Sequence, residues 1–256
     1  GLKSLTCSTG AVADDPFTVT TTHVGTTTLK YNVTAKDASV KYCTFATGYD
    51  YYQRWQLEEG TNGDVIKHFI SMWSTFASWY GENWQTMMKY DRREGTYEGD
   101  GYHLMWDARQ VVITFGMDDD GNLVTPIQVD SIHTNAPTPV DMDIPVTVLS
   151  NEWGDQQIKA APTTNTPYFI TMQPAAYVDL YKTDAALLRA LCYEADNINP
   201  TDLARTRDED LRDGLWEFRV RKDVDTDYYI IAVGLDEGAP ATRAFKTKIT
   251  VPGGSF

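Results

Sequence analysis

Polar and apolar side chains alternate along short segments in both halves of the chain, which is the period of a half-buried β-strand. Each half contains a β-rich run that ends in glycine, an apolar residue and aspartate, then an acidic turn and another strand-like segment. Two strands joined by such a turn form a β-hairpin. The predicted strands span 17–22, 27–34, 42–47, 111–118 and 123–133 in the first half, and 142–149, 156–161, 168–172, 229–236 and 241–251 in the second.

The two halves form an internal repeat. The run that begins at Tyr42 parallels the one that begins at Tyr168, and the run that contains Gly116 parallels the one that contains Gly234. The second copy is shorter between these landmarks. A duplicated domain with a variable middle explains this spacing better than chance similarity of one motif.

The variable middle of each copy changes to a helical period of about 3.6 residues. In the first copy, Asn62-Gly63-Asp64 offers helix-capping residues and is followed by an apolar stripe that includes Trp73, Tyr80 and Trp84. In the second copy, a helix begins at Thr183-Asp184 and another at Asn199-Pro200. We expect helical insertions at about 56–100 and 182–213, folded over an edge or open end of each sandwich.

Two prolines in the polar stretch 135–139 predict a linker between two domains. The predicted domains span 10–135 and 140–256, each of ordinary domain size. The fold class is mainly β, with two tandem sandwiches that each carry a helical insertion.

The order of strands, insertion and glycine-aspartate hairpin resembles a fibronectin type III or immunoglobulin-like sandwich. More narrowly, FTVTTT with the later YYIIAVGLD is similar to tandem-repeat secreted lipoproteins of the Bacteroidetes. That resemblance implies a location on the outer-membrane surface or in the periplasm. The first copy departs from the pattern, because Arg109-Gln110 stands where the second copy has Tyr228-Tyr229.

Charge and composition exclude several partners. The chain has 36 acidic against 22 basic residues and a net charge of −14, without a basic run, so we expect no nucleic-acid binding. No apolar run is long enough for a transmembrane helix. The chain begins Gly1-Leu2-Lys3, which indicates a trimmed or a processed start, so we expect any signal peptide or N-terminal lipid anchor to have been lost already. Cys43 and Cys192 fall on apolar positions, where we expect buried thiols.

Motifs that would carry catalysis are missing from the sequence, so we predict no catalytic residues. The four histidines are scattered, without the spacing of a zinc site. The strongest cation candidate is the turn Asp118-Asp119-Asp120-Gly121-Asn122, in which Asp118 and Asp120 could bind calcium. The alternative is a polar hairpin turn, so no cofactor is expected unless calcium binds.

Aromatic residues provide the candidate ligand-binding positions: Trp79, Trp55 and Tyr52. Trp79 points about a third of a turn from the apolar stripe, whereas Trp73, Tyr80 and Trp84 lie on it and are expected in the core. The sequence thus predicts a non-catalytic surface or periplasmic binding or spacer protein, whose partner is a glycan or another surface protein. The alternatives are a purely structural adhesion or assembly module, and a glycan hydrolase with carboxylates between the domains.

Overall fold

The computed structural model describes residues 15–58, 64–194, 203–207 and 214–254. Within these residues the chain divides into two compact units. The first takes residues up to Val24, Thr28–Tyr102 and Ala108–His133, and the second takes Gly25–Thr27, His103–Asp107 and Thr134 onward. The long segment of the second unit therefore begins next to the proline-containing stretch 135–139, and two short segments from earlier in the chain join it.

The described residues of the first unit form six strands and three helices. They are β1 Phe17–Val24, β2 Leu29–Ala35, β3 Tyr42–Gly48, α1 Tyr49–Leu57, α2 Val65–Tyr80, α3 Trp84–Asp91, β4 Thr96–Gly101, β5 Arg109–Gly116 and β6 Gln128–His133. The helices begin at Tyr49, earlier than the expected start at 56, and β4 occupies the last residues of the expected insertion.

The second unit repeats this order with shorter helices. Its elements are β7 Val146–Glu152, β8 Asp155–Ala160, β9 Tyr168–Pro174, α4 Ala175–Val178, α5 Asp184–Arg189, a π-helical turn Ala190–Glu194, β10 Leu215–Phe218, β11 Thr226–Asp236, β12 Ala239–Pro240 and β13 Phe245–Val251. The helix predicted at Asn199-Pro200 lies outside the described residues.

Both units are built from two antiparallel sheets with the same strand order. One sheet has the order β1-β2-β4 in the first unit and β7-β8-β10 in the second; the other has β3-β5-β6 and β9-β11-β13. In each unit, the sheet formed by the first, second and fourth strands packs against the sheet formed by the third, fifth and last strands. This is the arrangement of a fibronectin type III or immunoglobulin-type sandwich. The predicted fold class is confirmed.

The central strands β5 and β11 are buried on both faces. In β11, Tyr228, Ile230 and Ala232 pack inside the sandwich with residues of β8 and β10. The alternate residues Ile231 and Val233 pack against α4 and α5 on the opposite side. Residues of one strand alternate between its two faces, so the sandwich and the helices share this strand as a common wall.

The sequence predicts that the helical insertion covers an edge or an open end of the sandwich. In the first unit this prediction is wrong, because the helices cover a sheet face. Val111, Ile113 and Phe115 of β5 pack against α2 in one buried cluster. A face buries far more apolar area than an edge, and the aromatic stripe of α2 needs that area.

The repeat landmarks occupy equivalent positions in the two units. Tyr42 pairs with Gly116 across the sheet, and Tyr168 pairs with Gly234. Each tyrosine also forms a reciprocal backbone pair with an arginine that follows the helices, Arg93 in the first unit and Arg205 in the second. The duplication therefore extends to the point where the chain returns from its insertion.

The two arginines also make the same kind of side-chain contact. The Arg93 guanidinium lies 4.7 Å from the ring centroid of Tyr97 in β4, and that of Arg205 lies 4.2 Å from Trp216 in β10. Cation–π contacts of this kind fix the entry into the fourth strand of each unit.

The sandwich interiors differ in polarity. Gln110 is buried at the position that Tyr228 occupies in the second unit, and Thr114 stands where the second unit has Ala232. Thr114 forms a hydroxyl–hydroxyl hydrogen bond of 3.0 Å with Thr44 across the sheet. The difference between the two copies at Arg109-Gln110 is thus part of a more polar interior in the first unit.

Candidate functional site

Helix α2 positions the candidate site on the outer face of the β3-β5-β6 sheet. Asp64 caps its N-terminus, and the Asp64 carboxylate accepts a hydrogen bond from Ile66 N at 3.0 Å. Gly81 caps its C-terminus in a left-handed conformation. Its Phe69 ring stacks on Phe45 of β3 at a centroid distance of 4.4 Å. These caps and ring contacts hold the helix rigidly on the sheet.

Trp73 anchors the middle of α2. Its side chain is buried, its Nε1 donates to Asp91 Oδ2 at 2.6 Å, and its ring stacks parallel to Trp84 at 6.2 Å. Trp84 is half-buried over the turn that contains Gly121. Trp73 and Trp84 therefore pack between the helical insertion and the sheet, as predicted.

The last turns of α2 expose three aromatic side chains, which we call the α2 aromatic patch: Phe76, Trp79 and Tyr80. Their exposed fractions are 41%, 68% and 72%. The Trp79 ring meets Phe76 edge to face at 5.2 Å. Trp79 is the only exposed tryptophan of the seven, all of which lie among the described residues.

Tyr80 corrects a prediction from the sequence. Its angular position on the helix matches the buried stripe, yet 72% of its side chain is exposed. The stripe remains buried through Ala77, and Tyr80 lies one turn further, directly before the helix ends at Gly81. Tyr80 and Phe76 are thus site residues that the stripe alone did not reveal.

The surface around the patch carries no charge along the helix. Residues 69–80 contain no Asp, Glu, Lys, Arg or His, although 23% of the chain is charged. The exposed hydroxyls of Ser74, Thr75 and Ser78 donate to helix carbonyls at 2.7, 3.0 and 2.7 Å. Each hydroxyl oxygen still has acceptor capacity. The helix end therefore presents aromatic rings among neutral hydroxyl groups.

Trp55 and Tyr52 lie in a different place from Trp79. Trp55 is half-buried and stacks on His68 at 4.3 Å, while His68 Nδ1 lies 2.8 Å from Glu58 Oε2. Burial raises the pKa of Tyr52, which is also half-buried. His68 and Trp79 stand on one helix, eleven residues apart, which is about 16 Å of helix rise. The structure therefore does not bring the three candidates together, and Trp55 serves the α1–α2 packing.

The aspartate turn is organised by its own hydrogen bonds. Asp118 Oδ1 accepts from Asp120 N at 3.0 Å and Asn122 N at 2.8 Å, and Asp118 Oδ2 accepts from Asn122 Nδ2 at 3.0 Å. The hydrogen bonds from Asn122 hold the pKa of Asp118 below its usual value. Asp119 pairs with Arg92. Among the described residues, no cluster of three or more His, Cys, Asp or Glu side chains is placed to hold a metal ion.

One pair of carboxylates stands near a hollow in the first unit. Glu98 and Asp100 occupy alternate positions of β4 and line a hollow of about 290 Å³. Both side chains are exposed, and Asp100 accepts a hydrogen bond from the Tyr102 hydroxyl at 2.8 Å. Both carboxylates therefore lie in solvent on strand β4 of the first unit.

No protein-family model matches the chain, and no curated protein matches it. Among solved structures, the FN1–FN3 domains of chicken CNTN1 match with 10% identity over 92% of this chain and 66% of that chain, with a TM-score of 0.27. A segment of two fibronectin type III domains from chicken tenascin matches with 7% identity over 91% and 97%, also with a TM-score of 0.27.

The chain thus spans slightly less than two thirds of the CNTN1 structure and nearly all of the tenascin segment. The fold assignment rests on the strand order of the two units, and not on these similarities. None of the helices among the described residues is long and apolar enough to cross a membrane.

Proposed function

We propose that this chain is a non-catalytic binding protein whose first unit holds a neutral glycan on the α2 aromatic patch. The exposure of Trp79, at 68%, carries the proposal. A large aromatic ring left in water on a well-capped, rigid helix gains nothing for the fold. Its flat face can stack on the apolar face of a sugar ring.

The size of the patch favours a sugar over a protein partner. An aromatic side chain has an area of about 150–250 Å², so the three exposed rings offer on the order of 300–400 Å². A stable protein interface needs about 800 Å² from each partner. One or two sugar rings match the smaller area, and the neutral hydroxyls of Ser74, Thr75 and Ser78 suit an uncharged sugar.

The rival proposal is a purely structural adhesion or assembly module. In such a module the aromatic side chains serve the core, as Trp73 and Trp216 do here. Trp79 is 68% exposed, and Phe76, the ring that it contacts among the described residues, is itself on the surface. This difference favours binding.

We also propose that the protein works outside the cytoplasm, on the outer-membrane surface or in the periplasm. The similarity of its repeat to secreted Bacteroidetes lipoproteins supports this location. A β-sandwich unit that displays a small binding surface suits a protein that meets glycans there.

Titration of the protein with a panel of neutral oligosaccharides, followed by calorimetry, tests the glycan proposal. We expect Trp79→Ala to raise the dissociation constant of the best oligosaccharide by about tenfold or more, as for a central aromatic contact. Trp79→Phe should lose less, because it keeps a ring. Leu180→Ala is the control, since Leu180 is 74% exposed in the second unit. Equal affinities for Trp79→Ala and the unchanged protein would refute the proposal.

A further inference from the structure

The second unit contains a hollow of about 470 Å³. It lies between α5, the residues that precede β13 and the segment His103–Asp107, which belongs to this unit. That segment is held in place because Thr134 Oγ1 donates to Met105 O at 2.6 Å and Asp107 N donates to Asn135 O at 3.1 Å. The volume falls within the range of about 300–1,000 Å³ that is usual for small-molecule sites.

One part of the wall is apolar and aromatic. Met105, Trp106 and Leu188 line it, and Met105 and Leu188 are buried. Trp106 is half-buried, so part of this large side chain is accessible. We call this hollow the Trp106 pocket.

The other part of the wall is cationic. Arg189 and Arg243 both line the Trp106 pocket, in a chain whose net charge is −14. The Arg243 guanidinium lies 4.5 Å from the ring centroid of Phe245, and its distance to the Asp143 carboxylate is 3.7 Å with both side chains about 70% exposed. Such an exposed, long ion pair contributes little and exchanges easily for another carboxylate.

The Asp184 carboxylate in the wall is already engaged. Asp184 Oδ1 lies 2.7 Å from Lys246 Nζ, and Asp184 Oδ2 accepts a hydrogen bond from Ala244 N at 3.3 Å. Lys246 therefore balances the charge of Asp184. Arg243, whose ion pair with Asp143 is long and exposed, is the cationic group of the wall that can meet an anion.

We propose that the Trp106 pocket binds an acidic sugar, in which a ring lies against Trp106 and its carboxylate meets Arg243. Guanidinium groups bind carboxylates through paired, charge-assisted hydrogen bonds. An aromatic wall adds a stacking surface for the ring. This proposal is independent of the proposed function, because the pocket lies in the other unit and selects a charged ligand.

Titration of ¹⁵N-labelled protein with glucuronate tests the proposal by NMR. We expect a saturable shift of the Trp106 indole N–H resonance, which is assigned from Trp106→Phe. Arg243→Gln should weaken glucuronate binding by about tenfold, which is the loss of one charge-assisted contact. Arg243→Lys keeps the charge but loses the paired N–H donors of the guanidinium, so we expect it to bind glucuronate with an intermediate affinity.

Arg221→Gln is the matched control, because Arg221 lies over Trp153 at 5.3 Å in the same unit but outside the Trp106 pocket. We expect it to leave the glucuronate affinity unchanged. Acetate, inorganic phosphate and glucose complete the series and should bind much more weakly. If acetate or phosphate bound as tightly as glucuronate, the sugar ring would have no role in binding. If glucose bound as tightly as glucuronate, the carboxylate would have none. Absence of any shift at about 10 mM glucuronate, where a millimolar site is mostly filled, would overturn the site.

Discussion

At the scale of single residues, Gly116 and Gly234 show why both copies need a glycine at the end of the central strand. Gly116 N donates to Thr125 Oγ1 at 2.8 Å, and Gly234 N donates to Thr242 Oγ1 at 2.9 Å. A Cβ atom on either glycine would lie 2.8 Å from the threonine methyl carbon. The shared glycine thus makes room for a threonine that closes the hairpin.

This contact predicts the effect of adding one methyl group. We expect Gly234→Ala to lower the free energy of unfolding by about 1–2 kcal/mol, because overpacking displaces Thr242. Thr242→Ser removes the methyl group but keeps the hydroxyl, so the double variant should recover part of that loss. Urea denaturation of the four proteins in a double-mutant cycle measures the coupling. Strictly additive effects would show that the two groups do not meet.

Aromatic residues show what the sequence could predict at this scale and what it could not. The helical period placed Trp79 away from the buried stripe, and the structure exposes it. The same period placed Tyr80 in the core, which is wrong, because periodicity gives a direction around the axis but not where the supporting sheet ends. Trp55 and Tyr52 lie near the start of the insertion and Trp79 near the end of α2, so the three candidates do not share one surface.

At the scale of elements, the strongly patterned strands were predictable and the fourth strand of each unit was not. β5 is rich in β-branched residues and sits in the middle of a sheet. β4 has the sequence TYEGDG, which lacks an apolar alternation. Its Gly99 faces the Tyr31 ring of β2, whose Cζ would lie 2.5 Å from a Cβ there. The large side chain thus comes from the neighbouring strand, so β4 itself shows no strand pattern.

The contact between the aspartate turn and α3 predicts a second effect. Gly121 has a φ of 89° and lies against the Trp84 ring, so a side chain would meet both backbone strain and the indole. Gly95 has a φ of 66° with open space around a Cβ atom, so Gly95→Ala measures the strain alone. We expect Gly121→Ala to cost about 1–3 kcal/mol more than Gly95→Ala. Thermal unfolding followed by tryptophan fluorescence measures both, and equal losses would contradict the contact with Trp84.

At the scale of the whole molecule, both units bury groups that resist ionisation. Burial raises the pKa of Tyr31 to about 12, and that of the Cys43 thiol also to about 12, in the first unit. It raises the pKa of the Cys192 thiol to about 12 in the second. The prediction of a buried thiol is confirmed at Cys43, and Cys192 is half-buried against the α5 cluster. Each of these groups favours the folded state only while it remains neutral.

Tyr31 makes the resulting alkaline sensitivity testable. Its hydroxyl is buried, hydrogen-bonded to Thr44 and ionises near 12 instead of 10.0. The unfolded chain releases this proton above pH 10 and the folded chain does not, so stability is fully present below pH 10 and is lost as the pH rises towards 12. Two pKa units correspond to about 2.7 kcal/mol.

We therefore expect Tyr31→Phe to be less stable than the unchanged protein at pH 8, by about 1 kcal/mol, because it lacks the hydrogen bond to Thr44. Between pH 10 and 12 it should lose less stability than the unchanged protein, because phenylalanine has no proton to release. Urea midpoints at several alkaline pH values measure the two slopes, with the exposed Tyr90→Phe as the control. Parallel slopes for Tyr31→Phe and the unchanged protein would mean that Tyr31 does not govern the alkaline loss.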